Sequence, residues 1–517
     1  MARYKAYNPD QSLLLPVTLK NHIYPGSLEE TIDIMVEKHL DLTLFDQIYH
    51  NNDTGRLAYH PKVLLKVILL AYSRGIIGSR RIEQACRENI LFMALAGGHH
   101  PDHSTIAAFV NSMKDFILDF FVQILMVCSE LNLLDGTHFS LDGCKLPSNA
   151  SKEHSATFKE LKKKRGKLKE KLKGLLSQHI VTDKNDEDIR EVDKSKRERR
   201  IKRIEKQIKR IDSFLNENNP KQGRTKKEIQ SNITDNDSAK MPTAHGVIQG
   251  YNAQVMVDSK HQIIVHAEAM GNGQDADNLK PMVEGLKQNL KTIGNLENPV
   301  EGTILTADSN YHTNENIDLC EQEAIDAYIP DTNFRKRDAN FKDQKRFRDG
   351  VNKPPKKKGK FEKFSPDDFI YDKKNDGYIC PQGQLLHLIT NHMVNRGTIY
   401  RVFRIKNDAC QNCLLRDKCL ANKSAKQRYL LIPIETDENV EKPVSPSARM
   451  KKKIDSKHGK EIYSHRLGNV EPVFGNIRYN KLLNRFTYRT KVKVNTQWLL
   501  YCLIHNIEKI SRYGFAN

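Results

Sequence analysis

The sequence lacks long apolar segments, a recognisable secretory leader and, with one exception, tryptophan. Its longest nearly continuous apolar run, residues 116–128, is interrupted by Asp119 and Gln123 and is shorter than the roughly 20 residues that cross a bilayer. The N-terminal residues MARYKAYNPDQ contain neither an apolar core nor a small-residue cleavage site. We therefore expect neither a membrane span nor secretion, and the nine cysteines then favour reduced thiols or metal ligands over disulfides.

Positive charge is what the sequence has in excess. Its 84 Lys and Arg residues oppose 64 Asp and Glu, which gives a net charge of +20 at pH 7. Such an excess is typical of a protein whose partner carries many phosphates, although a ribosome-associated protein or a basic linker would also produce it. Hydrophobic residues make up 38% of the chain, which is enough for folded cores, and its length predicts roughly two to four domains.

Residues 61–130 have the pattern of several short helices. Ser79 and Ser104 are the predicted N-caps of two of them. Short helices with glycine turns and a basic pair are compatible with a helix-turn-helix DNA reader, and equally with a plain helical packing domain. The basic pair is Arg80 and Arg81.

Residues 151–240 predict a basic helical hairpin. Apolar residues recur every three or four positions in two runs that a polar break separates, which is the spacing of two packed helices. Residues 159–210 hold 21 Lys and Arg against 10 Asp and Glu, a net charge of +11. Either a solvated coiled coil or a surface that contacts backbone phosphates explains this pattern.

Strand and helix patterns alternate in the next part of the chain. HFSLD and GTILTAD each predict a strand that ends in Asp, and YNAQVMV and IIVHAEA predict a hairpin. Helical patterns cover 276–290 and 314–324, and the C-terminal region is helical again, with Trp498 in a setting that predicts core packing. This alternation is typical of an α/β fold.

Three acids in these segments are candidates for chemistry. Asp142 and Asp308 stand at the carboxyl ends of predicted strands, where ligands bind in open α/β sheets, although either alone is also a common cap or turn residue. Glu471 is followed two helical turns later by Arg478 on the same face, so a phosphodiester could approach this carboxylate. Pro472 predicts that the helix begins or kinks near Glu471.

Taken in order, these segments resemble the DDE-type insertion-sequence transposases, whose catalytic core is ribonuclease H-like. The matching stretches are HPKVLLKVILLAYSRGIIGSRRIEQACREN with PDHSTIAAF, then FSLDG, GYNAQVMVD, ILTADSNYH and YSHR with VEPVFGNIR. The resemblance implies Asp142, Asp308 and Glu471 as a triad that holds two Mg²⁺ or Mn²⁺ ions. It also implies double-stranded DNA as the partner (terminal inverted repeats and target), a homodimer, and a cytoplasmic, nucleoid-associated place in a prokaryotic cell.

The implied fold class is α/β, with a ribonuclease H-like mixed-sheet core in residues 131–332 and 461–517. An N-terminal helical domain in 1–130 precedes the core. The triad residues are 166 and 163 positions apart, so both intervals need insertions. We expect these to be the helical hairpin within 151–240 and the basic, loop-rich stretch 333–460, which contains KPPKKKGK.

The family signature around the glutamate is altered in this chain. Related groups place Tyr, Arg, Glu and Lys as Y-x2-R-x3-E-x6-K. Here Tyr463 and Arg466 fit, but four residues separate Arg466 from Glu471 and Arg478 replaces the lysine, which leaves the roles of the first two residues open. The residues that we expect to contact DNA are Tyr463, Arg466, Arg478, Arg80 and Arg81.

Four cysteines in the second insertion have the spacing of metal ligands: Cys380, Cys410, Cys413 and Cys419. Such a set can close a tetrahedral site around a structural Zn²⁺, which stabilises segments too small for a core. Cys380 is not part of a CxxC pair, so free thiols are the alternative. His99, His100 and His103 also suggest a metal, but PDHST is the pattern of a capped helix start.

The predicted function is that of a transposase, which binds the ends of its mobile element, cuts phosphodiester bonds and joins the freed 3′-ends to target DNA. Two alternatives fit the same residues. A ribonuclease H-like metal-dependent nuclease would cut without joining. A non-catalytic DNA-binding protein descended from a transposase would bind without cutting.

Overall fold

The computed structural model describes residues 18–47, 58–185, 191–223, 227–294, 298–338, 364–395, 398–405, 408–420, 425–433 and 445–515. The chain forms two compact units. Unit 1 comprises Met1–Phe334 and Pro446–Asn517, and unit 2 comprises Arg335–Ser445. The basic stretch KPPKKKGK at 353–360 lies outside the described residues.

The described residues contain both long and short helices. In chain order they are α1 Leu28–Ile34, α2 Pro61–Ser73, α3 Ser79–Glu88, α4 Ile90–Leu95, α5 His103–Ser112, α6 Ile117–Glu130, α7 Phe158–Asn185, α8 Glu191–Glu217, α9 Leu279–Gly294, α10 Asn314–Gln322, α11 Phe334–Arg337, α12 Arg416–Cys419, α13 Pro446–Asp455, α14 Lys457–Gly475 and α15 Lys491–Tyr513. The strands are β1 His138–Pro147, β2 Ser155–Ala156, β3 Ser231–Asn232, β4 Ala239–Thr243, β5 Gly246–Asp258, β6 Ile264–Met270, β7 Ile304–Ala307, β8 Asp326–Tyr328, β9 Ile370–Asp372, β10 Gly377–Ile379, β11 Leu385–Asn395, β12 Thr398–Ile405 and β13 Tyr429–Pro433.

A mixed six-stranded sheet forms the centre of unit 1. β5 pairs antiparallel with β1, β4 and β6, whereas β7 pairs in parallel with β1 and β8. β5 is buried from Gln249 to Asp258, so neighbouring elements cover both of its faces. α9, α14 and α15 pack on the strands of this sheet. The mixed α/β arrangement is compatible with a ribonuclease H-like core.

The N-terminal helices and the sheet share one apolar core. α15 lies within it, because the helix packs against both α2 and α6 and against β6. Trp498 is fully buried, as predicted. The buried Asn506 amide satisfies its own polar atoms by pairing with the backbone N–H and carbonyl of Ile264, each at 2.9 Å. No helix in the described ranges is both long and apolar enough to span a membrane.

The two predicted N-caps are wrong by one or two residues. Ser79 is the first residue of α3, and the cap position belongs to Gly78. Asp102 rather than Ser104 caps α5, and its carboxylate accepts hydrogen bonds from the backbone N–H groups of Ser104 at 2.8 Å and Thr105 at 2.9 Å. A carboxylate is the better acceptor here because hydrogen bonds to an ionised group are stronger. PDHST is therefore a capped helix start, as predicted.

α7 and α8 form the predicted helical hairpin. Phe158 and Leu161 of α7 pack with Ile211 and Phe214 of α8, and these apolar side chains are buried. Most of the described Lys and Arg side chains on both helices are exposed. The hairpin therefore has an apolar seam and a basic outer surface.

Unit 2 differs from the loop-rich insertion that the sequence predicted. It contains a five-stranded antiparallel sheet in the order β13-β12-β11-β10-β9. Phe369, Leu386, Phe403 and Leu430 form its small core. TIYRVFRI is rich in β-branched and aromatic residues, which is a strand pattern, but the surrounding basic and polar residues obscured it.

Candidate active site

Asp142 and Asp308 stand side by side at one end of the six-stranded sheet. β1 and β7 pair in parallel from His138↔Ile304 to Leu141↔Ala307, and each aspartate is the next residue of its chain. Because parallel strands keep a constant register, the two carboxylates follow at the same level. The structure thus brings together two of the three acids that the family resemblance implied.

Asp142 lies in a partly buried position that disfavours its negative charge. Its Oδ1 accepts a hydrogen bond from the Gly143 backbone N–H at 2.8 Å, and its Oδ2 lies 2.8 Å from Nη2 of Arg466. Burial is the main cause that raises the pKa of Asp142, and the charges of Asp308 and Asp275 add to the rise, whereas Arg466 and the Gly143 N–H oppose it; together they set the pKa at about 6. A positive charge near this carboxylate therefore stabilises its ionised form.

Asp308 is a cap as well as a neighbour of Asp142. It precedes a short 3₁₀ turn, Ser309–Tyr311, and its Oδ1 accepts a hydrogen bond from the Asn310 backbone N–H. The plain interpretation of this residue as a cap is therefore correct. Capping leaves the second carboxylate oxygen, Oδ2, available for another ligand.

α14 contributes Arg466 to this site. The Arg466 side chain is only 5% exposed, its Nη2 pairs with Asp142, and its Nε has no hydrogen-bond partner among the described residues. One turn further along the helix, Asn469 donates a hydrogen bond from Nδ2 to Oγ of Ser140 at 3.2 Å. These two contacts fix the helix face that packs on β1.

The predicted helix start near Glu471 is wrong, and the alternative, a kink there, stays a prediction. α14 begins at Lys457, because the Ser456 side chain accepts a hydrogen bond from the Gly459 backbone N–H at 3.0 Å and so caps the helix. Pro472 lies inside the helix, which continues into a π-helical turn over Asn476–Asn480.

Glu471 lies on an exposed flank of α14 between two arginines that both approach β1. Arg466 pairs with Asp142. Arg478 lies beside the Cys144 thiol, two residues after Asp142, and opposes the burial that raises the pKa of that thiol. At 100° per residue, Glu471 points about 140° away from Arg466 around the axis of α14. Arg478 lies beyond the end of α14 in the π-helical turn, so the regular α-helical spacing that predicted one shared face for Glu471 and Arg478 does not apply.

The remaining residues that we expected to contact DNA lie apart from one another. The Tyr463 ring packs edge-to-face against Phe334, with 5.4 Å between the ring centroids. Arg80 and Arg81 are exposed in the first turn of α3. These positions leave the DNA contacts of all three as predictions.

A third aspartate, which the sequence reasoning overlooked, lies at the same end of the sheet. Asp275 follows β6 in a short 3₁₀ turn and accepts hydrogen bonds from Asn252 Nδ2 at 2.6 Å, Gln254 Nε2 at 3.2 Å and Asn310 Nδ2 at 3.2 Å. The backbone N–H of Asn310 also donates to Asp308, so one residue links the two carboxylates. The signal available in the sequence was an acid soon after the second strand of the hairpin, in AEAMGNGQD.

The four predicted cysteine ligands lie together in unit 2. Cys380, Cys410, Cys413 and Cys419 line one small cavity of about 30 Å³ with apolar neighbours. Burial raises the pKa of the Cys419 thiol, Arg428 lowers it, and the other three cysteines raise it, which places all four sulfurs near one another. The Gln384 backbone N–H lies 3.4 Å from Sγ of Cys380 and donates to it.

Neither the three aspartates nor the four cysteines surround a common central point. Among the residues that the structure describes, no three His, Cys, Asp or Glu side chains are already arranged to hold a metal ion. The three histidines near α5 have other contacts: Nδ1 of His103 lies 2.8 Å from Oε2 of Glu83, Nδ1 of His100 lies 3.0 Å from the Cys86 carbonyl, and the His99 ring packs edge-on against Tyr59.

Two protein families match this chain. The family described as Transposase DDE domain matches residues 379–511, which include Glu471 and the four cysteines. The family described as Transposase domain (DUF772) matches residues 17–112, which include the N-terminal helices up to α5. No curated protein sequence matches the chain. The two matches fall in the same order as the segments that carry the resemblance in the sequence.

Proposed function

Because this chain belongs to the DDE transposases of insertion sequences, we propose that it binds the ends of its mobile element, cleaves the DNA there and joins the freed 3′-ends to target DNA. The observation that carries this proposal is the parallel pairing of β1 with β7, which sets Asp142 and Asp308 at one level. Two adjacent carboxylates at the end of a sheet are suited to phosphodiester chemistry with divalent cations.

The residues at this end of the sheet fit a hard cation such as Mg²⁺ or Mn²⁺. Asp142 and Asp308 supply carboxylate oxygens, which these ions prefer. When bound, two such ions supply the Lewis acidity that activates a water or 3′-hydroxyl and stabilises the leaving oxygen. Glu471 is the third acid by family resemblance, and its exposed position between Arg466 and Arg478 leaves it accessible to DNA and cations.

Arg466 of α14 and Arg478 of the following π-helical turn position the DNA backbone. Arg478 offers a guanidinium to a phosphate that approaches the carboxylates. Arg466 neutralises Asp142 before cations bind and is a second phosphate contact. Tyr463, Arg80 and Arg81 add contacts along the duplex.

The basic hairpin of α7 and α8 provides a second DNA-binding surface, apart from the carboxylates. Its apolar seam uses Phe158, Leu161, Ile211 and Phe214, which leaves lysines such as Lys162 and Lys163 exposed. Exposed lysines on one hairpin release counterions from DNA without reading its sequence. The protein works as a homodimer, since two ends must be paired, and acts at the nucleoid of a prokaryotic cell.

The catalytic assignment is tested by cleavage of duplexes that carry the DNA flanking this chain's own gene. Asp142→Asn, Asp308→Asn and Glu471→Gln should each lower the cleavage rate in Mg²⁺ or Mn²⁺ by at least about 100-fold, since each loses a charged metal ligand. Glu461→Gln, which alters another exposed acid of α14, is the matched control and should cut at the normal rate. Undiminished cutting by the three variants would refute the triad.

A strand-transfer assay with labelled pre-cleaved ends and a plasmid target separates a transposase from a nuclease. Joined products that depend on Asp142 and Asp308 support transposition. Cleavage without joining under all conditions would mean a ribonuclease H-like nuclease, and binding without either reaction would mean a non-catalytic DNA-binding protein.

The hairpin's role is tested by the salt dependence of DNA binding. Replacing Lys162, Lys163, Lys167 and Lys171 with Gln should weaken binding at low salt and reduce the slope of log K against log salt concentration by up to about 0.9 per lost phosphate contact. The same number of Lys→Gln changes at exposed lysines of elements with no proposed DNA contact, Lys38, Lys114, Lys280 and Lys291, gives the comparison. An unchanged slope for the hairpin variant would mean that these lysines form a solvated helix surface and do not contact DNA phosphates.

A structural Zn²⁺ in unit 2 is the second cofactor of the proposal. The four cysteines meet at one small cavity, and the Gln384 N–H that donates to Cys380 Sγ stabilises a thiolate there. A Cys₄ set suits Zn²⁺, and the small apolar core of unit 2 gains stability from such a site.

Metal analysis of purified protein should find about one Zn²⁺ per chain. Cys413→Ser should lose it and lower the thermal stability of unit 2, whereas Cys320→Ser, which alters a buried cysteine of unit 1, should retain it. Absence of zinc together with four freely titratable thiols in unit 2 would leave free cysteines as the correct interpretation.

A further inference from the structure

We infer that Asp275 is a further cation ligand of the active site and that it acts with Asp142 and Asp308 when a divalent metal binds. This inference rests on the proposed function. Asp275 belongs to the turn that follows β6, and the family signature does not include it. Its place in the fold, rather than any motif, assigns it this role.

Asp275 is tied to both other aspartates. Asn310 donates its side-chain amide to Asp275 Oδ2 at 3.2 Å and its backbone N–H to Asp308. Gln254 donates to Asp275 Oδ1 at 3.2 Å, and Gln254 is the antiparallel partner of Gly143, the residue after Asp142. Asn310 and Gln254 therefore connect Asp275 to Asp308 and to the strand position beside Asp142.

A buried amide oxygen next to these acids lacks a partner. Asn252 is fully buried, and its Nδ2 donates to Asp275 Oδ1 at 2.6 Å. Its Oδ1 has no hydrogen-bond partner among the described residues, and it lies 2.7 Å from where a Cβ on Gly143 would be. An unpaired buried carbonyl oxygen is costly, and amide oxygens are ligands that hard cations accept. This oxygen therefore points to a cation as the missing partner.

The local charge favours a cation as well. Arg466 pairs with Asp142, whereas Asp275 and Asp308 accept their hydrogen bonds from uncharged amide groups. The three carboxylates are thus balanced by one positive charge, the guanidinium of Arg466. Tyr311 lies among them: its hydroxyl donates to Gln254 Oε1, and burial, followed by the charges of all three aspartates, raises its pKa. The excess negative charge is what a divalent cation would neutralise.

The three aspartates do not converge on one point. In the described residues, no group of three His, Cys, Asp or Glu side chains is arranged to hold a metal ion. Asp275 and Asp308 are partly exposed, and their side chains lie in short turns rather than within strands. Rotation of these side chains about χ1 and χ2 brings carboxylates together without moving the sheet. We therefore expect cation binding to draw the carboxylates together.

The test is calorimetric titration of the full chain with Mn²⁺ in the absence of DNA. Asp275→Asn should weaken Mn²⁺ binding at least about tenfold, as should Asp142→Asn and Asp308→Asn. Asp277→Asn, which changes an exposed acid in the same turn, is the matched control and should bind within about twofold of the wild type. Trp498 fluorescence and the metal-free melting temperature verify that each variant is folded.

The outcomes separate the two proposals. Normal binding by Asp275→Asn, with loss in the Asp142 and Asp308 variants, would overturn the role of Asp275 and leave the proposed function intact. Normal binding by all three variants would overturn the cation site itself. Asp275→Glu keeps the carboxylate and should bind more tightly than Asp275→Asn. Equal weakness of these two variants would mean that Asp275 only positions Asn252 and Gln254.

Discussion

Gly143 is the position where a single methyl group should do the most damage to the site. A Cβ at this residue would lie 1.9 Å from Nε2 and 2.8 Å from Cδ of Gln254, and 2.7 Å from Oδ1 of Asn252. Both side chains are fully buried, so neither can swing into solvent. Gly143→Ala therefore forces Gln254 to move within a packed core.

The cost follows from what Gln254 holds. Its Nε2 donates to Asp275 at 3.2 Å and its Oε1 accepts from the Tyr311 hydroxyl, so its displacement breaks one part-buried and one buried hydrogen bond of about 1 kcal/mol each. Overpacking a core by one methyl group adds about 1–3 kcal/mol. We expect Gly143→Ala to lower the free energy of unfolding of unit 1 by about 3–5 kcal/mol, a large part of the roughly 5–15 kcal/mol that domains possess.

Urea unfolding followed by tryptophan fluorescence measures this change. Trp498 is the single tryptophan of the chain, and its Nε1 donates to the Gln254 carbonyl at 3.1 Å, so it reports on the affected region of unit 1. Gly468→Ala is the matched control: it lies in α14 with nothing within 4 Å of the added Cβ, and should stabilise the protein by up to about 1 kcal/mol.

A double-mutant cycle decides whether the clash is with Gln254. In a Gln254→Ala background the new Cβ no longer clashes with Nε2 and Cδ of Gln254, so Gly143→Ala should cost about 2 kcal/mol less than in the wild type. Additive effects of the two substitutions, or a Gly143→Ala protein as stable as the wild type, would refute this reasoning.

Two further predictions concern buried ionisable side chains that belong to α15 or pair with it. Burial lowers the pKa of His505 to about 3, from 6.5 in an exposed histidine, so the unfolded chain binds this proton first and stability falls as pH drops from 6.5. His505→Gln should reduce the pH slope of the unfolding free energy between pH 6.5 and 5 by about 1 kcal/mol per unit, and an equal slope in both proteins would contradict this. Lys481 is fully buried and its Nζ lies 2.5 Å from Oε2 of Glu508, which is partly exposed. Glu508→Gln, which strands a buried cation, should therefore lower the urea midpoint by more than Lys481→Met does, and the reverse order would refute the pairing argument.

The parts of the fold that follow from local patterns were predictable. The hairpin of β5 and β6 follows from two runs of strand-forming residues joined by a short polar turn, and the helices α7 and α8 have a periodicity that fixes which face is buried. The parallel pairing of Leu141 with Ala307 joins residues 166 positions apart, and no local pattern determines such a register. The adjacency of Asp142 and Asp308 was therefore implied by the family resemblance and became a geometric fact only in the folded chain.

Asp275 could not be singled out because its role depends on three separate segments. Its hydrogen-bond donors come from β5 and from the turn after β7, and the orphaned oxygen of Asn252 is visible only when burial is known. In the sequence, Asp275 and Asp277 are indistinguishable acids of one polar turn. Tertiary contacts, rather than residue type, separate the two.

The extra residue between Arg466 and Glu471 explains why the family signature did not determine the role of Arg466. With three intervening residues the arginine and glutamate would stack one helical turn apart and share a face. With four, the position one turn after Arg466 belongs to Val470, which is fully buried, and Glu471 rotates by about 100° onto the exposed flank. Arg466 then faces the sheet and pairs with Asp142, while Glu471 lies on the exposed flank. The number of residues between the two thus decides whether the glutamate shares the helix face that contacts the first aspartate, and helix geometry rather than the identity of either side chain sets that outcome.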